Sequence, residues 1–93
     1  MEYVYVKVQW HHEFPDDPIV YYCELGPDRY ETRKVQVYRD GRSERADAQH
    51  ETGDIFLSDL AVPPLEEIAA DPEFTPEEID AQQFEQIWQQ AVA

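Results

Sequence analysis

Hydrophobic and polar residues alternate along the first half of the chain, and this pattern predicts a β-sheet. In the segment over residues 3–10, Val4, Val6 and Val8 occupy every second position, with tyrosines and polar residues between them. Alternation of β-branched and aromatic residues with a period of two is typical of strands. The segment over residues 19–25 carries apolar residues on both faces, so we expect it to lie in the centre of the sheet.

The pattern then predicts a hairpin. A third strand is expected over residues 30–39, and it leads into the dipeptide Asp40-Gly41. An Asp-Gly pair favours a two-residue hairpin turn in which both positions have positive φ. The returning strand over residues 42–48 is polar and rich in charge, as is usual for an exposed edge strand.

After a loop over residues 50–54 and a short apolar run over 55–57, the pattern changes to that of helices. Pro64 is well suited to the first turn of a helix that extends to about residue 70. The sequence Thr-Pro-Glu-Glu over residues 75–78 resembles a helix start, and it predicts a short helical turn.

The last helix has the clearest signals. Asp80 can cap its N-terminus, with Gln83 as the partner three residues on. The apolar residues that follow have helical spacing and form one stripe: Phe84, Ile87, Trp88 and Ala91. We expect the stripe to pack on the sheet. The predicted fold is α+β, with an antiparallel sheet of about four strands packed by C-terminal helices in two layers. The prediction is one domain over 1–93, with strands mainly in 1–57 and helices mainly in 64–92.

Charge is distributed unevenly along this sequence. The formal net charge is −14, from 21 acids against 7 Lys and Arg. All the Lys and Arg residues lie at or before Arg45, and the 12 acids after it have no basic residue among them. Such a chain repels nucleic acid and anionic membranes, whereas it attracts a basic protein.

We interpret eight acids of the helical half as a surface that binds a partner. They are Glu66, Glu67, Asp71, Glu73, Glu77, Glu78, Asp80 and Glu85. Acids also favour the first turns of helices, where they interact with the helix dipole, and this explains part of the set. The absence of basic residues from the end of the last helix is not explained in that way. Acidity that serves only solubility is the alternative.

A second candidate site consists of polar residues in the first half of the chain. His11 and His12 stand in a loop over residues 11–17 that also holds three acids, and this composition can bind a divalent metal. Adjacent histidines on an extended chain point to opposite sides, so we expect no metal site and no cofactor. Arg33 and Lys34 on the third strand complete the candidate polar site, with cross-strand ion pairing as the alternative interpretation.

Catalytic and targeting signals are weak. Cys23, the one cysteine, falls within a predicted central strand, where a thiol behaves as a small hydrophobic group. Because the chain has one cysteine, it cannot form an intramolecular disulfide. A nucleophilic role for Cys23 would require a base within reach of its thiol. The sequence shows no signal peptide and no run of about 20 apolar residues that could span a membrane. We expect a cytoplasmic protein that is not an enzyme.

Several short motifs together resemble a family of small bacterial domains of unknown function. They are Trp10-His11-His12, Asp17-Pro18, Tyr22-Cys23-Glu24, Arg33-Lys34-Val35, Tyr38-Arg39-Asp40-Gly41, Pro63, Glu67-Ile68, Asp71-Pro72-Glu73-Phe74, Ile79 and Phe84-Glu85-Gln86-Ile87-Trp88. The resemblance extends over nearly the whole chain. It implies a single domain and no particular reaction. An acid usually follows Arg-Lys-Val in that pattern, and Gln36 stands in its place here.

These observations lead to a ranked set of hypotheses. The first is a protein-binding module that docks a basic partner, in its most concrete form an immunity protein that inhibits a toxin nuclease. The second is a nucleic-acid mimic that inhibits a DNA-binding enzyme. The third is a small metal-binding or enzymatic domain that uses the loop over residues 11–17. The fourth is a structural or regulatory domain whose acidity only solvates it.

Overall fold

The computed structural model describes residues 3–49, 57 and 60–91. Within them the chain forms five strands and two helices: β1 (Val4–Trp10), β2 (Pro18–Leu25), β3 (Glu31–Tyr38), β4 (Ser43–Asp47), α1 (Leu65–Ala69), β5 (Phe74–Ile79) and α2 (Ala81–Gln90). The loop expected over residues 50–54 and most of the apolar run expected over 55–57 lie outside the described residues.

The strands form one antiparallel sheet. Over the described ranges its order is β4-β3-β2-β1-β5. The α+β class and the antiparallel sheet are therefore confirmed, with five strands found where about four were expected. β2 lies at the centre, as its two apolar faces predicted, and the charged β4 lies at an edge. An edge strand leaves half of its backbone groups to solvent, and charged side chains discourage pairing with other chains.

The hairpin between β3 and β4 has the predicted location and a different turn conformation. Gly41 has a φ of +91°, whereas Asp40 does not have the positive φ that was expected. The amide of Gly41 donates to the carbonyl of Tyr38 (2.9 Å), and the amide of Tyr38 donates to the carbonyl of Arg42 (2.8 Å). One residue in the left-handed region therefore closes the turn, a conformation that glycine adopts without strain.

The helical turn expected over residues 75–78 is wrong, because this segment is the core of β5. It pairs antiparallel with β1, and Val8 lies opposite Pro76. The Thr-Pro-Glu-Glu sequence is compatible with a helix start, yet pairing with β1 satisfies backbone groups that a short helical turn would leave free. Tertiary pairing therefore overrides the local capping signal. Pro76 is compatible with this strand because β5 is an edge strand.

Both predicted helices are present. Pro64 directly precedes α1, and α2 begins after Asp80 with the expected capping box. The Asp80 carboxylate accepts from the amide of Gln83 (2.7 Å), and the Gln83 side chain accepts from the amide of Asp80 (3.0 Å). In the part of the chain that the structure describes, neither helix has the length and apolar surface needed to cross a bilayer.

The two helices pack on opposite faces of the sheet. On the first face, which we call the α1 face, Val6 and Leu25 are fully buried and pack with Cys23. Val62, just before α1, and Leu65, the first residue of α1, cover them. Side chains alternate along a strand, so the neighbours of these residues point to the other side of the sheet.

On the other face, the α2 face, the stripe of α2 packs on the sheet as predicted. Phe84 is fully buried, and its ring centroid lies 5.4 Å from that of Tyr5 on β1. Trp88 stacks behind Phe84 at 6.2 Å. The helices therefore cover opposite faces, so the sheet lies between two helical layers where an arrangement of two layers in all was expected.

Candidate functional site

Seven of the eight predicted partner-binding acids lie along one continuous segment. It runs from α1 through the following turn and β5 to the residue that caps α2. We call these carboxylates the acidic edge: Glu66, Glu67, Asp71, Glu73, Glu77, Glu78 and Asp80. All seven residues are exposed. Since β5 ends the sheet and Glu77 and Glu78 point to opposite faces, the acidic edge extends around both sides of this border.

No ion pair reaches the acidic edge within the described residues. Lys7 lies opposite Glu77 in the register of β1 and β5, but its ammonium lies over the ring of Tyr22, 5.9 Å from the centroid. Arg45 lies over Trp88 and donates to its carbonyl (2.8 Å). The other basic residues contact carbonyls, carboxylates or a ring elsewhere in the chain: Arg29, Arg33, Lys34, Arg39 and Arg42. Every Lys and Arg side chain therefore has a contact with a residue that is not part of the acidic edge.

Three acids of the edge have local structural roles. Asp71 accepts from the amide of Glu73 (2.9 Å), and Asp80 caps α2. Glu73 accepts from the indole nitrogen of Trp10 (3.3 Å). The remaining four, Glu66, Glu67, Glu77 and Glu78, have no side-chain hydrogen bond among the described residues. Their charge therefore remains available to a partner.

Glu85, the eighth predicted acid, lies apart from this edge on the α2 face. Its carboxylate pairs with Arg33 at 3.1 Å, and Arg33 also pairs with Glu24 at 2.7 Å. The guanidinium lies 5.0 Å from the ring centroid of Phe84 and 4.9 Å from that of Trp88. Arg33 therefore connects α2 to the sheet. Its pair with Glu24 on β2 is a cross-strand ion pair, which confirms that interpretation for Arg33.

Glu24 is a buried carboxylate with a full set of donors. Arg33 donates to both of its oxygens, and Thr32 donates to one of them at 2.7 Å. Burial raises the pKa of Glu24, but these hydrogen bonds outweigh the burial and hold its pKa below the usual range. The same contact with Glu24 raises the pKa of Arg33. Both groups stay ionised, which indicates a structural pair and not an acid–base catalyst.

The two histidines bind different neighbours, as their adjacency predicted. His11 hydrogen-bonds Thr75 on β5 (2.7 Å). His12 accepts at Nδ1 from the amide of Phe14 (2.9 Å), so Nε2 carries the proton and donates to the carbonyl of Pro18 (2.8 Å). Both ring nitrogens of His12 are therefore occupied. Among the described residues no group of three His, Cys, Asp or Glu has metal-binding geometry.

Lys34 lies opposite Cys23 on the α1 face, whereas its neighbour Arg33 points to the α2 face. It pairs with Glu31 at 3.5 Å. The two line an apolar groove of about 390 Å³ between the sheet and α1, with Cys23 at its base. The four residues of the candidate polar site therefore occupy three separate places: the loop end of β1, the α2 face and the α1 face. They form no common site.

Cys23 should be a poor nucleophile. Burial is the main cause that raises the pKa of its thiol, and the nearby carboxylate of Glu31 raises it further. We expect the native protein to react with Ellman's reagent roughly 100-fold more slowly than the denatured protein does. Labelling rates in native buffer and in denaturant test this expectation. Equal rates would contradict it, because they would mean that the thiol is accessible in the folded state.

The sequence did not reveal the group of Glu24, Arg33 and Glu85 as a unit. Glu24 and Arg33 lie directly opposite each other in the register of β2 and β3, while Glu85 reaches them from a helix 52 positions away from Arg33. The register includes an irregularity between Glu24 and Leu25. Alternating charges on β2 and β3 indicate that ion pairs between the strands are possible. Which acid lies opposite Arg33 depends on the register, and this irregularity shifts the register.

A known family model matches this chain. The family model described as "Domain of unknown function (DUF6881)" matches residues 4–93. Searches of curated proteins and of solved structures give no match. The family match covers nearly the whole chain and agrees with the resemblance found in its motifs. The chain therefore belongs to the DUF6881 family of domains of unknown function.

Proposed function

We propose that this protein is a binding module that docks a basic protein through the acidic edge. The most concrete form of the proposal is an inhibitor of a toxin or another nucleic-acid-binding enzyme, since such enzymes present basic clefts. In this role the domain contributes charge and shape and performs no reaction of its own.

One observation carries the proposal: seven exposed acids follow one another along the edge, and no basic side chain pairs with them in the described structure. Unpaired like charges repel each other and lower the stability of a folded chain. A basic partner would remove that repulsion and would also be steered toward the edge during association.

Helix chemistry explains only part of the acidic edge. Glu66 and Glu67 lie in the first turn of α1, and Asp80 caps α2, where acids favour the helix dipole. Glu77 and Glu78 lie on the strand β5, so this explanation does not apply to them. Acids on an edge strand also discourage unwanted strand pairing, and the experiment below separates that role from partner binding.

The first experiment is a pull-down from a lysate of the source organism at low and high salt. The matched variants are Glu77→Gln/Glu78→Gln on the acidic edge and Asp28→Asn/Asp40→Asn at the turns beside β3. Each removes two charges, and asparagine keeps the side-chain oxygen that Asp28 and Asp40 each use to accept a backbone amide. We expect one basic protein to be retained at low salt, to be lost at high salt and to be reduced only by the edge variant.

The identity and behaviour of the retained protein decide between related roles. Competition between DNA and the domain for a retained enzyme would support an inhibitor that covers a nucleic-acid site. Retention that is equal for the two variants would contradict the proposal, because the edge would then have no special part in binding. The absence of any specific partner at either salt concentration would also count against it.

A further inference from the structure

A row of ring contacts leads to an exposed phenylalanine in the loop that follows β1. The ring of Trp10 lies 4.1 Å from that of His12, and the ring of His12 lies 5.4 Å from that of Phe14. On its other side, Trp10 stacks with Tyr21 at 6.3 Å and with Phe74 at 6.2 Å. The row therefore runs from the α1 face of the sheet out to Phe14, which is 58% exposed.

Hydrogen bonds hold the backbone that carries this exposed ring, and the ring itself stacks on His12. The amide of Phe14 donates to Nδ1 of His12, and Nε2 of His12 donates to the carbonyl of Pro18. Arg39 in turn donates to the carbonyl of His12. A ring that is already fixed loses little conformational freedom when a partner covers it, and such preorganised aromatic residues are typical anchors of protein interfaces.

The loop that carries Phe14 adjoins the acidic edge directly. The backbone amide of His11 donates to the carbonyl of Glu73 (2.7 Å), and the Glu73 carboxylate accepts from the indole of Trp10. The loop adds three acids that have no ion pair among the described residues, Glu13, Asp16 and Asp17, against the one cation Arg39. This loop therefore carries an exposed aromatic ring together with three carboxylates.

We propose that Phe14 is the anchor of the docking surface and that it receives an arginine side chain of the basic partner. This inference rests on the function proposed above. A guanidinium is planar and stacks on an aromatic ring, and its edge can at the same time pair with carboxylates. A lysine ammonium is more strongly hydrated and stacks less well, so the surface should favour arginine over lysine at equal charge.

The test uses two probes of equal charge, a hexa-arginine and a hexa-lysine peptide, at low salt. Dissociation constants are measured by calorimetry, and amide chemical shifts locate the peptides on the surface. We expect the wild-type protein to bind the arginine peptide about two- to fivefold more tightly. Phe14→Leu keeps an apolar side chain and removes the aromatic face, so the ratio should fall to about one. Tyr30→Leu, at an exposed tyrosine without a described ring contact, is the control and should keep the wild-type ratio.

The outcomes separate this inference from the proposed function. A ratio that is unchanged in Phe14→Leu, or equal affinity of the wild-type protein for the two peptides, would overturn the anchor and leave salt-dependent docking intact. Failure of both peptides to bind at low salt would overturn the docking function together with the anchor. Shifts confined to residues 11–17 and 65–80, with the preference lost only in Phe14→Leu, would establish the inference.

Discussion

Replacing Arg33 by alanine should lower the free energy of unfolding by about 2–4 kcal/mol. The substitution leaves the Glu24 carboxylate buried without its main donor, and Glu24 is only 8% exposed. It also removes the guanidinium that lies over Phe84 and Trp88. Urea denaturation, followed by tryptophan fluorescence, measures this loss.

Glu85→Gln is the matched control for Arg33→Ala. It breaks an ion pair of the same arginine at its exposed end, where such pairs contribute about 0–1 kcal/mol. A cost for Arg33→Ala that is as small as that of Glu85→Gln would contradict the account, because it would show that Glu24 is hydrated or finds another donor. Glu24→Gln in the Arg33→Ala background should recover part of the loss, since it removes the unpaired charge.

Phe84→Ala should be at least as damaging, with an expected loss of about 3–5 kcal/mol. Phe84 is the one residue of α2 that is fully buried, and it contacts Tyr5 on β1. Small domains are stable by only about 5–15 kcal/mol, so this variant is expected to populate unfolded forms near room temperature. The same urea titration applies, with near-ultraviolet circular dichroism to report the packing of Trp88.

Phe14→Ala removes the same side chain from an exposed position and serves as the control for Phe84→Ala. Its cost should be within about 0.5 kcal/mol, the usual range for surface substitutions. If the two variants lost similar free energy, α2 would not be docked on the sheet as described. If Phe84→Ala were tolerated while the signal of Trp88 changed, α2 would be detached from a sheet that remains folded.

Sequence patterns predicted the strands and helices correctly wherever the structure of a segment depends on residues close to it in the sequence. Alternation in β1 and the capping of α2 by Asp80 are local signals, and both are present in the structure. β5 was missed because the sequence around Pro76 is locally compatible with a helix start, and only the pairing with β1 makes it a strand.

Part of the candidate site was also predictable, because it depends on the sequence alone and not on contacts between distant segments. The list of edge acids came directly from the absence of basic residues after Arg45, a property of the sequence itself. Glu85 is exposed as expected, but its place apart from the edge and its pairing with Arg33 were not predictable, because they depend on how α2 crosses the sheet. The position of the loop that carries Phe14 likewise depends on distant segments, since its residue His11 donates to the carbonyl of Glu73 about 60 residues away.

The basic and the acidic residues of this protein have different roles in the structure. The basic residues make internal contacts, of which the pair between Arg33 and the buried Glu24 is the strongest example. The acids of α1 and β5 remain on the outside without basic partners in the described structure. Because Glu77 and Glu78 take no part in the contacts that fasten α2, they can be neutralised without loss of those contacts. Binding and stability can therefore be tested independently.

The most direct test of the docking surface is hydrogen–deuterium exchange of the protein alone and in complex with the retained basic partner. The account predicts slower exchange in the complex over residues 65–80, which include α1 and β5, and unchanged exchange over β4 at the opposite edge of the sheet. Protection confined to β4 or to α2, with no change over residues 65–80, would contradict the claim that the acidic edge docks the partner.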